Sequence, residues 1–152
     1  MEKLFFEDYA EGEQFKSPAR TMTETDIVLF ASLTGDWHPI HTNVEYAKKA
    51  FFGERIAHGM LTLCVGSALI FRLGPFVALP KSFIAFYGMD SVRFTGPVKI
   101  GDTIHCVVKV EKLEAKDDKT GVIVSRNFIR NQRDEDVVAY TTRALVGRKP
   151  KA

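Results

Sequence analysis

Apolar and polar side chains alternate through the middle of the C-terminal half. Ile104, Cys106, Val108 and Val110 interleave with His105, Val107, Lys109 and Glu111. A period of two marks a strand with one buried and one wetter face. Five such stretches are predicted, at 82–87, 89–94, 103–113, 121–130 and 137–146. Polar turns at 116–120 and 131–136 join the last three as antiparallel hairpins. By the same alternation His105 falls on the wetter face and is expected at the surface.

The N-terminal half has a different rhythm. Residues 4–22 read as an extended lead-in with a turn at Glu11-Gly12. Thr23-Glu24-Thr25-Asp26 resembles a capping box with Asp in third position. The helix it opens carries Ile27, Val28, Phe30, Ala31 and Leu33 as its amphipathic face and stops at Thr34-Gly35. Asn43 is placed to cap a short helix over 44–51, ending at Gly53. The longest apolar run follows from Gly59 to Leu73, and Gly74-Pro75 closes it. Its apolar residues occupy every face, so it must be enclosed on most sides. At about 22 Å long, it suits an antiparallel sheet curling around it. The expected class is therefore α+β, one domain over residues 1–152.

Composition narrows the functional classes. The 152 residues are 45% hydrophobic and 26% charged, with net charge +2. That charge is too small for a nucleic-acid footprint, and no nucleic-acid partner is expected. The start of the chain is acidic where a secretory signal would be basic and then apolar. No run approaches the eighteen or so apolar residues of a bilayer span. No membrane partner is expected, and the expected location is cytoplasmic. Cys64 and Cys106 lie in separate apolar segments, and two cysteines make no framework, so both are expected as free, buried thiols.

Candidate chemistry concentrates in Gly35-Asp36-Trp37-His38-Pro39-Ile40-His41. Gly and Pro there indicate a loop with a fixed path. Asp36 and His41 are five apart across Pro39, so their side chains can converge on one small molecule. A carboxylate and a neutral imidazole sharing a water can take one proton from it and return another. The plainer alternative is that Asp36 caps a turn while His41 bonds a backbone carbonyl. Gly59 opens the apolar helix, where N–H groups lack intrahelical acceptors and the dipole is positive. Without a Cβ it lets a ligand carbonyl approach closely. Alternatively it only permits tight packing. Ser67, about two turns further along a similar face, is placed to bond the Asp36–His41 loop or else its own helix backbone.

Asp36, His38, His41 and His58 also have the ligand types of a zinc or iron site. The Pro between two of the imidazoles is not helical spacing and no Cys joins the set, so no metal is expected. Phe51, Phe52, Met60, Phe83 and Phe86 are candidate acyl-pocket residues, with a core role the plainer reading of each. Trp37 is read as a packing residue.

The same residues carry a family resemblance. Gly35 to His41, followed by Ala47, resembles the hydratase-2 motif of the MaoC-like dehydratases and (R)-specific enoyl-CoA hydratases, G-D-x-N-P-x-H followed by a small residue. The likeness continues through Phe52 to Leu61, then Val92-Arg93-Phe94, Pro97-Val98 and Gly101-Asp102-Thr103, spanning roughly residues 20–146. It implies a hot-dog fold and reversible hydration of a trans-2-enoyl-CoA to an (R)-3-hydroxyacyl-CoA, with no cofactor. It implies that Asp36 and His41 hold and activate water, that the Gly59 N–H polarises the thioester carbonyl, and that Ser67 is a supporting hydroxyl. It also implies an acyl-CoA thioester partner and a homodimer or dimer of dimers. His38 stands where the family has Asn, and an imidazole can donate and accept in its place. A hot-dog acyl-CoA thioesterase and a non-catalytic acyl-CoA-binding regulatory protein remain the rival readings.

Overall fold

In the computed structural model, which describes residues 1–151, four long strands form most of one antiparallel sheet. They are β3 (Phe83–Phe94), β4 (Thr103–Ala115), β5 (Thr120–Arg130) and β6 (Asp136–Gly147). The sheet order is β1-β4-β5-β6-β3, with short β1 (Gln14–Lys16) on one edge and β2 (Arg20–Thr21) also pairing with β4. Ala152, the last residue of the expected domain, lies outside the described residues. The two stretches expected at 82–87 and 89–94 are one strand, β3, interrupted by three register shifts. Those irregularities and the glycine between them broke the alternation that a sequence reading needs.

The helices follow their capping chemistry. Thr23 and Asp26 form the expected reciprocal box at the start of α1 (Glu24–Thr34), and Gly35 ends it at φ +79°. That left-handed conformation is one glycine adopts without Cβ strain. Pro39–Thr42 folds into one helical turn, α2, rather than plain loop. Asn43 caps α3 (Val44–Lys49) through its side chain, which accepts from the Tyr46 N–H. The central helix α4 runs Gly59–Ala68 and tightens into a 3₁₀ segment at Leu69–Leu73.

Helix α4 lies against the concave face of the sheet in a hot-dog arrangement. Leu61, Leu63 and Leu69 pack with Ile104, Ile129, Val138 and Tyr140 in the main core. Gly66 makes this approach close enough, because a Cβ there would lie 2.5 Å from Ile129 Cδ1. The opposite side of the helix is not enclosed. Met60, Cys64, Ala68 and Phe71 are exposed, so the all-round apolar pattern is met by protein on one side only. Cys64 is accordingly an exposed free thiol, while Cys106 is buried and its thiol is pushed up to about 11 by that burial.

Three further expectations are corrected. His105 is buried, because the turn carrying Asp134 folds over its strand and places Asp134 Oδ1 3.5 Å from Nε2. Val28 and Leu33 are exposed, and Ile27 and Ala31 alone are buried on α1. Trp37, Phe51, Met60, Phe83 and Phe86 are all more than a third exposed and are not core residues.

Candidate active site

Helix caps and a short backbone ladder assemble the candidate site. Asp36 Oδ1 accepts from the His38 N–H, and the Asp36 N–H donates to Thr34 Oγ1. The His38 ring in turn caps α2, its Nδ1 accepting from the Ile40 N–H at 3.2 Å. His38 is thus tied into the loop's frame, the position in which an Asn amide oxygen would also serve. The Ile56 N–H donates to the Ile40 carbonyl and the Ala57 N–H to the Val98 carbonyl. Residues 56–59 are thereby strung between the loop and the connection that joins β3 to β4, where Ile56 and Lys99 form an isolated bridge, and the two segments singled out in the sequence come face to face.

The imidazole tautomers follow from these contacts. His41 Nδ1 lies 2.7 Å from the Ile56 carbonyl oxygen. A carbonyl only accepts, so Nδ1 carries the proton and the neutral ring keeps a lone pair on Nε2. The bland reading of His41, a bond to a backbone carbonyl, is thus present, and it is the bond that leaves Nε2 available. Burial lowers the ring's proton affinity below that of an ordinary histidine. The bond to Ile56 opposes this, and the neighbouring His58 adds to the lowering. His41 is therefore neutral at pH 7 and able to accept a proton.

Donor atoms of Asp36, His41 and His58 all lie within 4.8 Å of one another. By distance alone that cluster suits an ion. The two rings, however, are stacked with centroids 3.9 Å apart and planes 30° from parallel. In-plane lone pairs on stacked rings run side by side instead of converging on one point, and His58 Nε2 is 3.0 Å from the Asp36 carbonyl. The arrangement suits proton transfer better than ion binding. His58 is the residue that sequence reasoning placed only in the metal set. Its signal was its position next to Gly59, at the helix cap.

Gly59 is the first residue of α4, with His58 as its N-cap. Its N–H belongs to the turn that has no intrahelical acceptors. It lines a cleft of about 530 Å³ with His41, Phe52, Ile56, Met60 and Phe94. A Cβ at Gly59 would sit 2.9 Å from Phe94 Cδ1, so the glycine keeps the helix end open beside that ring. His41, with Asp36 beside it, and the start of α4 thus border one apolar cleft.

Ser67 is elsewhere. Its hydroxyl donates to the Cys64 carbonyl at 3.2 Å. It lines a second cavity of about 250 Å³ with Ile70, Phe71, Phe83, Phe86 and Tyr140. Eight residues of helix separate it from Gly59, about 12 Å, so a similar helical face did not bring it to the loop. Among the five candidate pocket residues, Phe52 and Met60 line the first cleft and Phe83 and Phe86 the second.

Known proteins resemble this chain in sequence and in fold. A family model described as the MaoC like domain matches residues 7–132. The (R)-specific enoyl-CoA hydratase of Rhodospirillum rubrum is 40% identical over 125 residues, covering 82% of this chain and 76% of that protein. The 3-hydroxybutyryl-CoA dehydratase of Methylorubrum extorquens is 38% identical over 112 residues, covering 72% and 66%. Among solved structures, the monoamine oxidase regulatory protein of Archaeoglobus fulgius superposes with a TM-score of 0.89 at 41% identity, covering 97% of each chain.

Proposed function

The chain belongs to the MaoC-like family, which includes hydratases and dehydratases, and from that premise we propose that it reversibly hydrates a trans-2-enoyl-CoA to an (R)-3-hydroxyacyl-CoA. The observation that carries the reading is the free Nε2 of a neutral, half-buried His41 beside Asp36, bordering the cleft that Gly59 lines. Water is held between the carboxylate and Nε2. As its oxygen bonds the β-carbon, the pair removes one proton. The alkene electrons shift through the α-carbon onto the thioester oxygen, where the Gly59 N–H stabilises the enolate. The pair then returns a proton to the α-carbon, and the carbonyl re-forms. Acid–base help of this kind is worth about a hundred- to ten-thousand-fold, and one oxyanion donor about a hundred- to a thousand-fold.

The same reading includes a second copy of the chain. β3 ends the sheet, and Met60, Phe71, Phe83, Ile84, Phe86, Tyr87 and Phe94 are 39–60% exposed on it and the neighbouring helix. At roughly 200 Å² for a large side chain, these half-exposed groups offer on the order of 700 Å². A stable interface needs about 800 Å² from each partner. A homodimer across this surface supplies the missing enclosure of α4.

One rival gains weight from a specific observation, the regulatory name of the 41% identical structure. Pure binding, however, requires neither a carboxylate nor a neutral imidazole at the cleft. The test follows loss of the conjugated enoyl absorbance with enoyl-CoA substrates of graded chain length. Wild type turns over at least one of them, unchanged after exhaustive chelation. Asp36→Ala and His41→Ala each lose at least about a hundredfold in kcat with circular dichroism unaltered. Near-wild-type turnover in both variants sinks the mechanism. Thiol release from saturated acyl-CoA without hydration indicates a thioesterase, and saturable binding without turnover indicates a regulatory protein.

A further inference from the structure

His58 has no part in the chemistry proposed above, yet it is the most enclosed titratable side chain of the cluster, 2% exposed. Its ring stacks on His41, with centroids 3.9 Å apart, and packs against Phe30, tilted by 55° with centroids 4.9 Å apart. Nε2 lies 3.0 Å from the Asp36 main-chain oxygen, so Nε2 carries the proton. Nδ1 is buried with no hydrogen-bond partner among the described residues, and such an orphan normally carries a cost. A phenyl ring in this slot would keep the contacts with His41 and Phe30 without burying an unpaired nitrogen. What an imidazole adds is the single N–H directed at Asp36. His58 is also the N-cap of α4, and its carbonyl accepts from the N–H and the hydroxyl of Thr62. One residue therefore links all three parts of the site: its side chain holds the Asp36 backbone by a hydrogen bond and the His41 ring by stacking, and its backbone leads directly into Gly59.

We propose that His58 is a positioning residue, which locks the Asp36 loop and the plane of the His41 ring to the start of α4 so that carboxylate, imidazole and Gly59 N–H keep one fixed geometry. Its function is orientation, and its proton does not enter the reaction. The inference rests on the hydratase reading for its kinetic consequences only, since the contacts themselves are independent of any activity.

Two variants separate the hydrogen bond from the packing. His58→Phe keeps a flat ring between Phe30 and His41 and deletes the N–H. His58→Gln carries an amide N–H at about the reach of Nε2 and deletes the aromatic ring. With an enoyl-CoA substrate, His58→Phe loses about ten- to a hundredfold in kcat, the scale of a small misplacement of reacting groups, with KM within about threefold. His58→Gln recovers most of that loss. Equal losses in both variants, wild-type kcat in His58→Phe, or a change confined to KM overturns the proposal. If wild type hydrates nothing, the hydratase reading fails and the positioning role is decided by nitrogen-15 NMR of the imidazoles. Wild type then shows His41 protonated on Nδ1 and His58 on Nε2, and His41 becomes a mixture of tautomers in His58→Phe. The opposite tautomers in wild type, or an unaltered His41 signal in a folded His58→Phe, refute it. Thermal unfolding of both variants identifies one that has not folded, and the wild-type tautomers still decide the question in that event.

Discussion

Replacing Gly66 with Ala sets two sizeable effects against each other. Within an exposed helix the change is favourable by about 0.8–1.0 kcal/mol, because Ala loses less backbone entropy. Here the added Cβ would stand 2.5, 2.7 and 2.8 Å from Cδ1, Cγ1 and Cγ2 of Ile129. Ile129 is completely buried. Two of those atoms are bonded to the Ile Cβ, so no rotation of the side chain relieves all three contacts, and α4 or β5 must move. Overpacking of this kind costs about 1–3 kcal/mol, toward the upper half with three simultaneous contacts. The net result is a loss of about 1–2 kcal/mol, or roughly 2–8 °C in Tm for a chain of this size. Urea titration and calorimetry of Gly66→Ala measure it directly. Ile129→Ala alone costs about 2–5 kcal/mol through its cavity. The double variant costs less than the sum, by at least about 1 kcal/mol, because the new methyl occupies vacated space. A rise in Tm for Gly66→Ala, or strict additivity with Ile129→Ala, would show that the close helix–sheet approach does not constrain this position.

Other consequences are equally open to measurement. The acid limb of kcat/KM lies below the ordinary histidine value of 6.5, because burial holds His41 neutral and the base is lost only as pH falls through its lowered pKa. A limb above 6.5 contradicts that assignment. His41 and His105 are both lowered by burial, so the unfolded chain binds more protons than the folded one just below pH 6.5. Stability therefore falls as pH drops from 6.5 through the two folded values, and a denaturation midpoint that is flat or rising on acidification there refutes it. Ser67→Ala keeps kcat within about threefold of wild type, since its hydroxyl bonds its own helix. A hundredfold loss would mean that Ser67 meets the reacting groups after all, across a subunit boundary.

Much of the architecture was legible because it rests on local physics. Alternation found β4, β5 and β6, and polar turns found their hairpins. Capping residues found α1 and α3, since Thr23, Asp26 and Asn43 act within one helical turn. The Gly35–His41 loop and the Gly59 helix start were visible for the same reason: unusual residues at short spacing, bounded by Gly and Pro. Where a feature depended on what another segment does, reading failed. His105 has the pattern of a surface residue until the turn at Asp134 covers it. For Ser67 two partners were open, the loop or its own helix, and the hydroxyl bonds the Cys64 carbonyl of that helix.

The amino-acid order by itself determined the three hairpin strands β4, β5 and β6, the capped helices α1 and α3 and the start of α4, and which residue types could transfer protons. Periodicity, caps and turn residues act over a few positions and need no partner. Only the tertiary structure decided that residues 35–41 and 56–59 meet, through Ile40, Ile56 and Val98. Only it decided which nitrogen of each histidine is free, because a tautomer is chosen by the carbonyl that happens to face the ring. His58 joined the site in that way. Seventeen positions after His41, it shows no spacing that announces a role, and the fold places the two rings in contact.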